Sequence, residues 1–257
     1  MTSLNATPPY LRRVNAALAL REVPDPEAAL QQLAQANEAA PDDATVELLL
    51  GMTYQDLGNA KEAEAHLRRA ISLAPDMPDA LKELGTLLMQ QSRFAEAVDV
   101  LQRVVEGSNP TSSAVAALAT ALRKSGRTED ATRALALATA GAFNNEASLW
   151  ALLGRYQLEQ NKIEDATIAL DRASKLDGTL DTLNDLAGAY ALQDRLQEAL
   201  GILRDLAVRF PQSDRVARSL SHCHLRMGDL QAAMREADRA IALNTQHFRN
   251  WQARADA

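Results

Sequence analysis

The chain has 257 residues, 47% hydrophobic but only 4% aromatic, and its 27 Lys and Arg against 34 Asp and Glu leave a formal net charge of −7. Burial therefore falls to Ala and Leu, which suits close helix packing and predicts an all-α chain rather than a β-rich one. The acidic total (isoelectric point near 5.2) argues against a general nucleic-acid binder, which needs a basic face, and the single cysteine, Cys223, excludes an internal disulfide.

Residues 1–9 are expected to be irregular; they hold no basic segment followed by an apolar run, and the sequon Asn5-Ala6-Thr7 reads as chance. No later stretch approaches the roughly 18 apolar residues of a membrane span, so a cytoplasmic protein is the expectation. From Tyr10 the chain repeats itself. Ala29, Ala63, Ala97, Ala131, Ala166, Ala199 and Ala233 are separated by 34, 34, 34, 35, 33 and 34 residues. A unit this short cannot bury an apolar face alone and becomes stable by stacking on its neighbours. The register divides the chain into 10–43, 44–77, 78–111, 112–146, 147–179, 180–213 and 214–247.

The first unit is the weakest, with Ala16-Ala17 at the paired position and Pro24-Asp25-Pro26 in its turn, and reads as an irregular cap. The second shows the pattern well. Leu50 and Tyr54 share one helix face, and Gly51 lets a second helix approach. Gly58 breaks the pattern, Ala63, Leu67, Ala70 and Ile71 resume it as an apolar stripe, and Pro75 ends it. Leu84-Gly85, Leu118-Ala119, Leu153-Gly154, Leu186-Ala187 and Leu220-Ser221 repeat the large-small pair. Gly126, Asn161, Asp194 and Gly228 repeat the turn, and Leu33, Leu101, Leu135, Leu170 and Leu203 repeat the second-helix stripe. Pro41, Pro75 and Pro211 close units, whereas Asn109, Phe143, Gly178 and Thr245 stand where that proline is missing. Past Thr245, Trp251 and Ala255 fall in register for an eighth unit. Residues 248–257 read either as a capping helix, with Arg249, Asn250, Gln252, Arg254 and Asp256 on a polar outer face, or as a truncated repeat.

An aromatic residue, then Leu-Gly, Tyr, Ala, Leu, Ala and Pro over 34 residues resembles the tetratricopeptide repeat, with Trp150-Ala151-Leu152-Leu153-Gly154 a close match, and the resemblance covers about residues 10 to 257. It implies a right-handed superhelical solenoid of antiparallel helix pairs. It further implies a concave wall lined by the first helix of each unit, along which a peptide lies. On that wall the register places Leu48, Met52 and Gln55; Lys82, Thr86 and Met89; Ala116, Thr120 and Arg123; Ala151 and Arg155; Asn184 and Gly188; Arg218 and His222. None of these is expected to serve the core, and the plain alternative for each is solvated helix surface. With Arg123, Arg155, Arg215, Arg218 and Arg226 near it, the wall favours an acidic or carboxylate-bearing peptide, and Asn184 could hold an extended backbone. The Lys and Asn carboxylate clamp of chaperone-tail-binding members cannot be placed on matching positions.

Catalytic chemistry finds little footing. His222-Cys223-His224 resembles a metal cluster, but residues two apart on a helix point to nearly opposite sides. No phosphate loop, HExxH, CxxC or GxSxG element occurs, and neither metal nor cofactor is expected. Charge is uneven: residues 22 to 64 hold ten acids against Lys61 alone, while 204 to 239 hold seven Arg against five acids, an asymmetry that could steer head-to-tail self-association. The leading reading is a non-catalytic scaffold binding a partner segment in its groove and supporting complex assembly. The alternative is the recognition domain of a larger enzyme truncated near residue 257; RNA binding of the pentatricopeptide kind conflicts with the acidic total.

Overall fold

The computed structural model describes residues 8–22 and 25–257; of the irregular terminus expected over residues 1–9, residues 1–7 with the sequon lie outside it, and Pro9 opens the first helix. Fifteen helices occur among the described residues: α1 (Pro9–Glu22), α2 (Pro26–Ala39), α3 (Ala44–Asp56), α4 (Ala60–Leu73), α5 (Pro78–Gln90), α6 (Phe94–Glu106), α7 (Ser112–Lys124), α8 (Thr128–Ala140), α9 (Ala147–Glu159), α10 (Ile163–Leu176), α11 (Leu180–Leu192), α12 (Leu196–Arg209), α13 (Asp214–Arg226), α14 (Leu230–Leu243) and α15 (Phe248–Asp256). They fall into two compact units, divided between Arg127 and Thr128.

Local chemistry delimits the helices. Asp43, Asn59, Thr111, Thr179, Ser213 and Asp229 stand at N-caps and accept from backbone N–H groups of the first turn, satisfying donors that have no partner within the helix. Between the helices of a pair the chain turns through one left-handed residue: Gly58, Gly126, Asn161, Asp194 and Gly228, as the register indicates, and also Ser92 (φ 61°). The sequence does not mark Ser92, because serine carries no preference for that conformation.

The seven periodic alanines are all fully buried (0% exposed), as are Leu33, Leu67, Leu101, Leu135 and Leu170. The large-small pair works by contact. A Cβ placed on Gly51 would lie 2.7 Å from Leu67 Cγ, one on Gly85 2.6 Å from Leu101 Cδ2, and one on Gly154 2.6 Å from Leu170 Cγ. Only glycine lets those leucines occupy the space. Ser221 fills the same position in α13, and there its hydroxyl donates to the Ala233 carbonyl of α14 at 2.8 Å.

Successive pairs are joined by a device that single-unit reading does not reveal. Arg69 donates to the Pro41 carbonyl (3.1 Å), Arg103 to that of Pro75 (2.6 Å) and Arg239 to that of Pro211 (2.8 Å), each 28 residues back. Every unit-closing proline of the register thus has its carbonyl held by an arginine of the following second helix. Where Asn109 replaces the proline, the residue 28 positions on is Leu137, 71% exposed. A charge-assisted bond to an otherwise unpaired carbonyl is worth roughly 1 kcal/mol. Arg103→Ala is therefore expected to lower the melting temperature by about 2 to 4 °C, whereas Arg133→Ala, on the exposed face of α8, should leave calorimetric melting nearly unchanged.

Candidate functional site

Within each compact unit the first helices form a continuous wall: α3 packs on α5 and α5 on α7; α9 packs on α11, α11 on α13 and α13 on α15. Successive second helices do not meet to a comparable extent, so each unit bends toward its first-helix side.

In the first unit this wall carries Met52, Lys82, Thr86, Thr120 and Arg123. Lys82 and Thr86 are exposed, Met52, Thr120 and Arg123 half-buried. The Thr86 hydroxyl donates to the Lys82 carbonyl (3.0 Å) and that of Thr120 to the Ala116 carbonyl (2.8 Å), so both threonines spend their donors one turn back and present a neutral face. Leu48, expected on the wall, is buried in the core instead, because α3 packs against neighbours on more than one side.

In the second unit Arg155 and His222 are exposed on the wall, and neither side chain hydrogen-bonds to a described residue. Three of the arginines counted as available for a carboxylate are already engaged. Arg215 donates to Asp181 and Asp185, Arg226 to Asp194 and to the Ala191 carbonyl, and Arg218 to Asn250 Oδ1 at 2.6 Å. Sequence registers cannot show this, since each pairing joins residues about one repeat apart. Burial, the neighbouring Asp214 carboxylate and the nearby Arg249 and Arg215 act together on Arg218, and the net effect lowers its pKa. Asp185 is pushed up by burial, against the pull of Arg215 and Arg155. The Cys223 thiol is likewise raised by burial, and it donates to the Leu196 carbonyl, which suits a packing residue.

Asn250 departs from the expected polar outer face. It is 0% exposed and donates to the carbonyls of Ala240 and Asn244, both at 2.9 Å, and to Asp214 (3.1 Å). It ties α15 to α13 and α14, while Arg254 reaches Asp238 at 2.6 Å. Trp251 donates to the Thr245 carbonyl six residues back (2.8 Å), as Trp150 does to that of Asn144 (2.9 Å), so both tryptophans open their helices in the same way.

Asn184 is the other departure, being only 7% exposed. Its Oδ1 accepts no hydrogen bond from the described residues. It lines a hollow of about 300 Å³ between α11 and α13 whose surface is mostly apolar, with Ala187, Gly188, Ala191 and Cys223 among its walls and Arg218 and His222 on its edge. A second, smaller hollow of about 180 Å³ lies between α13 and α15, and shares Arg218 and His222 with the first.

Family models described as tetratricopeptide repeat match residues 48–113 and 152–214, and a second such model residues 88–156. Among solved structures, the C-terminal part of a TPR repeat-containing protein from Cytophaga hutchinsonii is 12% identical, with a TM-score of 0.72, covering 93% of this chain and 98% of that one. PilF of Pseudomonas aeruginosa is 17% identical, with a TM-score of 0.65 over 83% of this chain and 97% of that one. A chain of the APC/C hetero-tetramer Cut9-Hcn1 is 14% identical, with a TM-score of 0.63 over 93% of this chain; this chain spans 47% of its length. At such identities the structures speak for the fold alone, an all-α solenoid of antiparallel helix pairs. With the family models reaching across half of the chain and the buried alanines, close-packed glycine-leucine pairs and left-handed turns recurring in register, the chain belongs to the tetratricopeptide repeat family.

Proposed function

We propose that this chain is a non-catalytic scaffold that binds a segment of a partner protein on the first-helix wall, and that assembly of a complex follows from this. In general terms the family is one of protein-interaction scaffolds; the finer reading rests on the hollow over α11 and α13, where a nearly buried amide is left without a partner. A buried polar atom with no hydrogen bond is a standing cost of folding, and a partner's backbone removes that cost. The seven-unit partition of residues 10–247 belongs to the same proposal. So does a cytoplasmic setting, with Cys223 buried and no helix among the described residues long and apolar enough to cross a membrane.

The engaged arginines narrow the expected acidic preference. Arg155 and His222 remain available in the second unit, so the charge preference is local rather than spread along the wall. Partners captured from the native source on the immobilised chain should fall at least roughly tenfold in yield with Thr86→Trp or His222→Trp, both exposed wall positions, at unchanged melting temperature. Loss of capture through Leu137→Arg or Ile168→Arg on second helices, with the wall variants still binding, would place the interaction elsewhere.

A further inference from the structure

The register gives the two hollows of the second unit a common plan. Asn184 on α11, Arg218 on α13 and Gln252 on α15 are each 34 residues apart, as are Gly188, His222 and Asp256. The side chains of a segment crossing these helices therefore meet one row of amide and guanidinium groups and, one turn along, a second row that opens with a glycine. Nothing lies within 4 Å of a Cβ built on Gly188, unlike the crowded Gly154 on α9. No close approach of helices requires glycine here, and glycine inside a helix is unfavourable relative to alanine. Its one local effect is to keep the apolar hollow open. Apolar cavities of roughly 150 Å³ already accept benzene, so this hollow of about 300 Å³ has room for a large aliphatic side chain.

We infer that the α11–α13–α15 face of this chain takes an extended protein segment that carries an aliphatic and an acidic side chain two residues apart. The aliphatic side chain fills the hollow over Gly188, the backbone beside it pairs with the Asn184 amide, and the carboxylate meets Arg249. The inference rests on the scaffold reading and names the chemistry of its partner.

Each part follows from the geometry. A primary amide offers one acceptor and two donors, matching the N–H and C=O of one residue in an extended chain; a helical ligand has no free backbone groups to offer. Side chains of an extended chain share a face at every second residue, about 6.6 Å along, and neighbouring helices pack about 8 to 10 Å apart; the long Arg249 side chain spans the difference, so the acid that meets it stands two residues from the aliphatic side chain. The cation at the hollow between α13 and α15 is Arg249, whose guanidinium lies 5.8 Å from the centre of the Phe248 ring, makes no hydrogen bond or ion pair with a described residue, and adds to the lowering of the Arg218 pKa. Asp256 lies two helical turns further along α15, at the opposite end of that hollow. Arg249 and His222 stand exposed on the rim, where the side chain of a continuing strand reaches them. The carboxylate is therefore that of an Asp or Glu rather than of a chain end.

The test is selection of a random phage-displayed peptide library on the full chain, followed by fluorescence anisotropy with the enriched peptides. Enriched sequences should share the aliphatic and acidic pair at that spacing. Gly188→Leu and Asn184→Leu should each weaken binding at least roughly tenfold while raising the melting temperature, since one removes a helical glycine and the other an unpaired buried amide. Replacing the peptide's acid by its amide should cost several-fold with the native chain and nothing further with Arg249→Gln. Peptides that bind equally well to both variants, or that lack the paired residues, overturn this inference and leave the scaffold reading standing. A chain that enriches no peptide at all overturns both.

Discussion

Gly154→Leu is expected to destabilise the protein by about 3 kcal/mol, at the upper end of what overpacking costs, and so to lower the melting temperature by roughly 6 to 12 °C. The new Cβ would fall 2.6 Å from Leu170 Cγ and 3.1 Å from the Ala166 carbonyl oxygen. Leu170 is fully buried and the carbonyl belongs to the backbone of α10, so neither yields without parting α9 from α10. Gly188→Ala supplies the control. It sits at mid-helix in α11 with open space around the added methyl, and is expected to stabilise by about 0.5 to 1 kcal/mol. Two glycines in corresponding helices thus answer with opposite signs in a urea or thermal melt. Equal signs would contradict the close-packing role given to the Leu-Gly pair.

Arg69→Ala is expected to cost roughly 3 kcal/mol. Glu47, on the first turn of α3, is 1% exposed, yet carries a carboxylate. It accepts from Arg69 Nε at 2.8 Å and from His66 Nδ1 at 2.6 Å, and Tyr54 stacks on that imidazole at 5.3 Å. Removing Arg69 leaves the carboxylate in an apolar site with one donor fewer, and also releases the Pro41 carbonyl. Glu47→Leu removes the buried charge itself, and the half-exposed Arg69 turns to solvent, so this change should alter stability by no more than about 1 kcal/mol in either direction. Denaturant melts of both variants decide the matter: a larger loss for Glu47→Leu than for Arg69→Ala would mean that the ion pair contributes little beyond packing.

Much of the candidate site was legible in part. The positions of Thr86, Arg155 and His222 on the first-helix wall follow from the 34-residue register alone, since helix geometry assigns a face to each residue of a repeat. Burial did not follow. Asn184 and Leu48 share that face but sink between neighbouring helices, because how deeply a wall residue sits depends on the size of side chains one repeat away. The charge reading shows the same limit. Arg215 and Arg226 look free in sequence, and are consumed by acids 30 to 34 residues earlier. Asn250, polar and near the carboxy terminus, reads as surface, yet four hydrogen bonds place it in the interior.

The order of helices, the left-handed turns at glycine, asparagine and aspartate, and the buried periodic alanines, with the leucine four residues on in six of the units, were determined by sequence alone. These features depend on spacing and residue size within one repeat, and a period repeated seven times leaves little freedom. Tertiary structure decided the rest: the arginine-to-proline bonds between units, the buried Glu47, the unpaired Asn184 amide and the hollow held open at Gly188. Each arises where one unit meets the next, and a contact between side chains a whole repeat apart has no signature in the pattern of either unit.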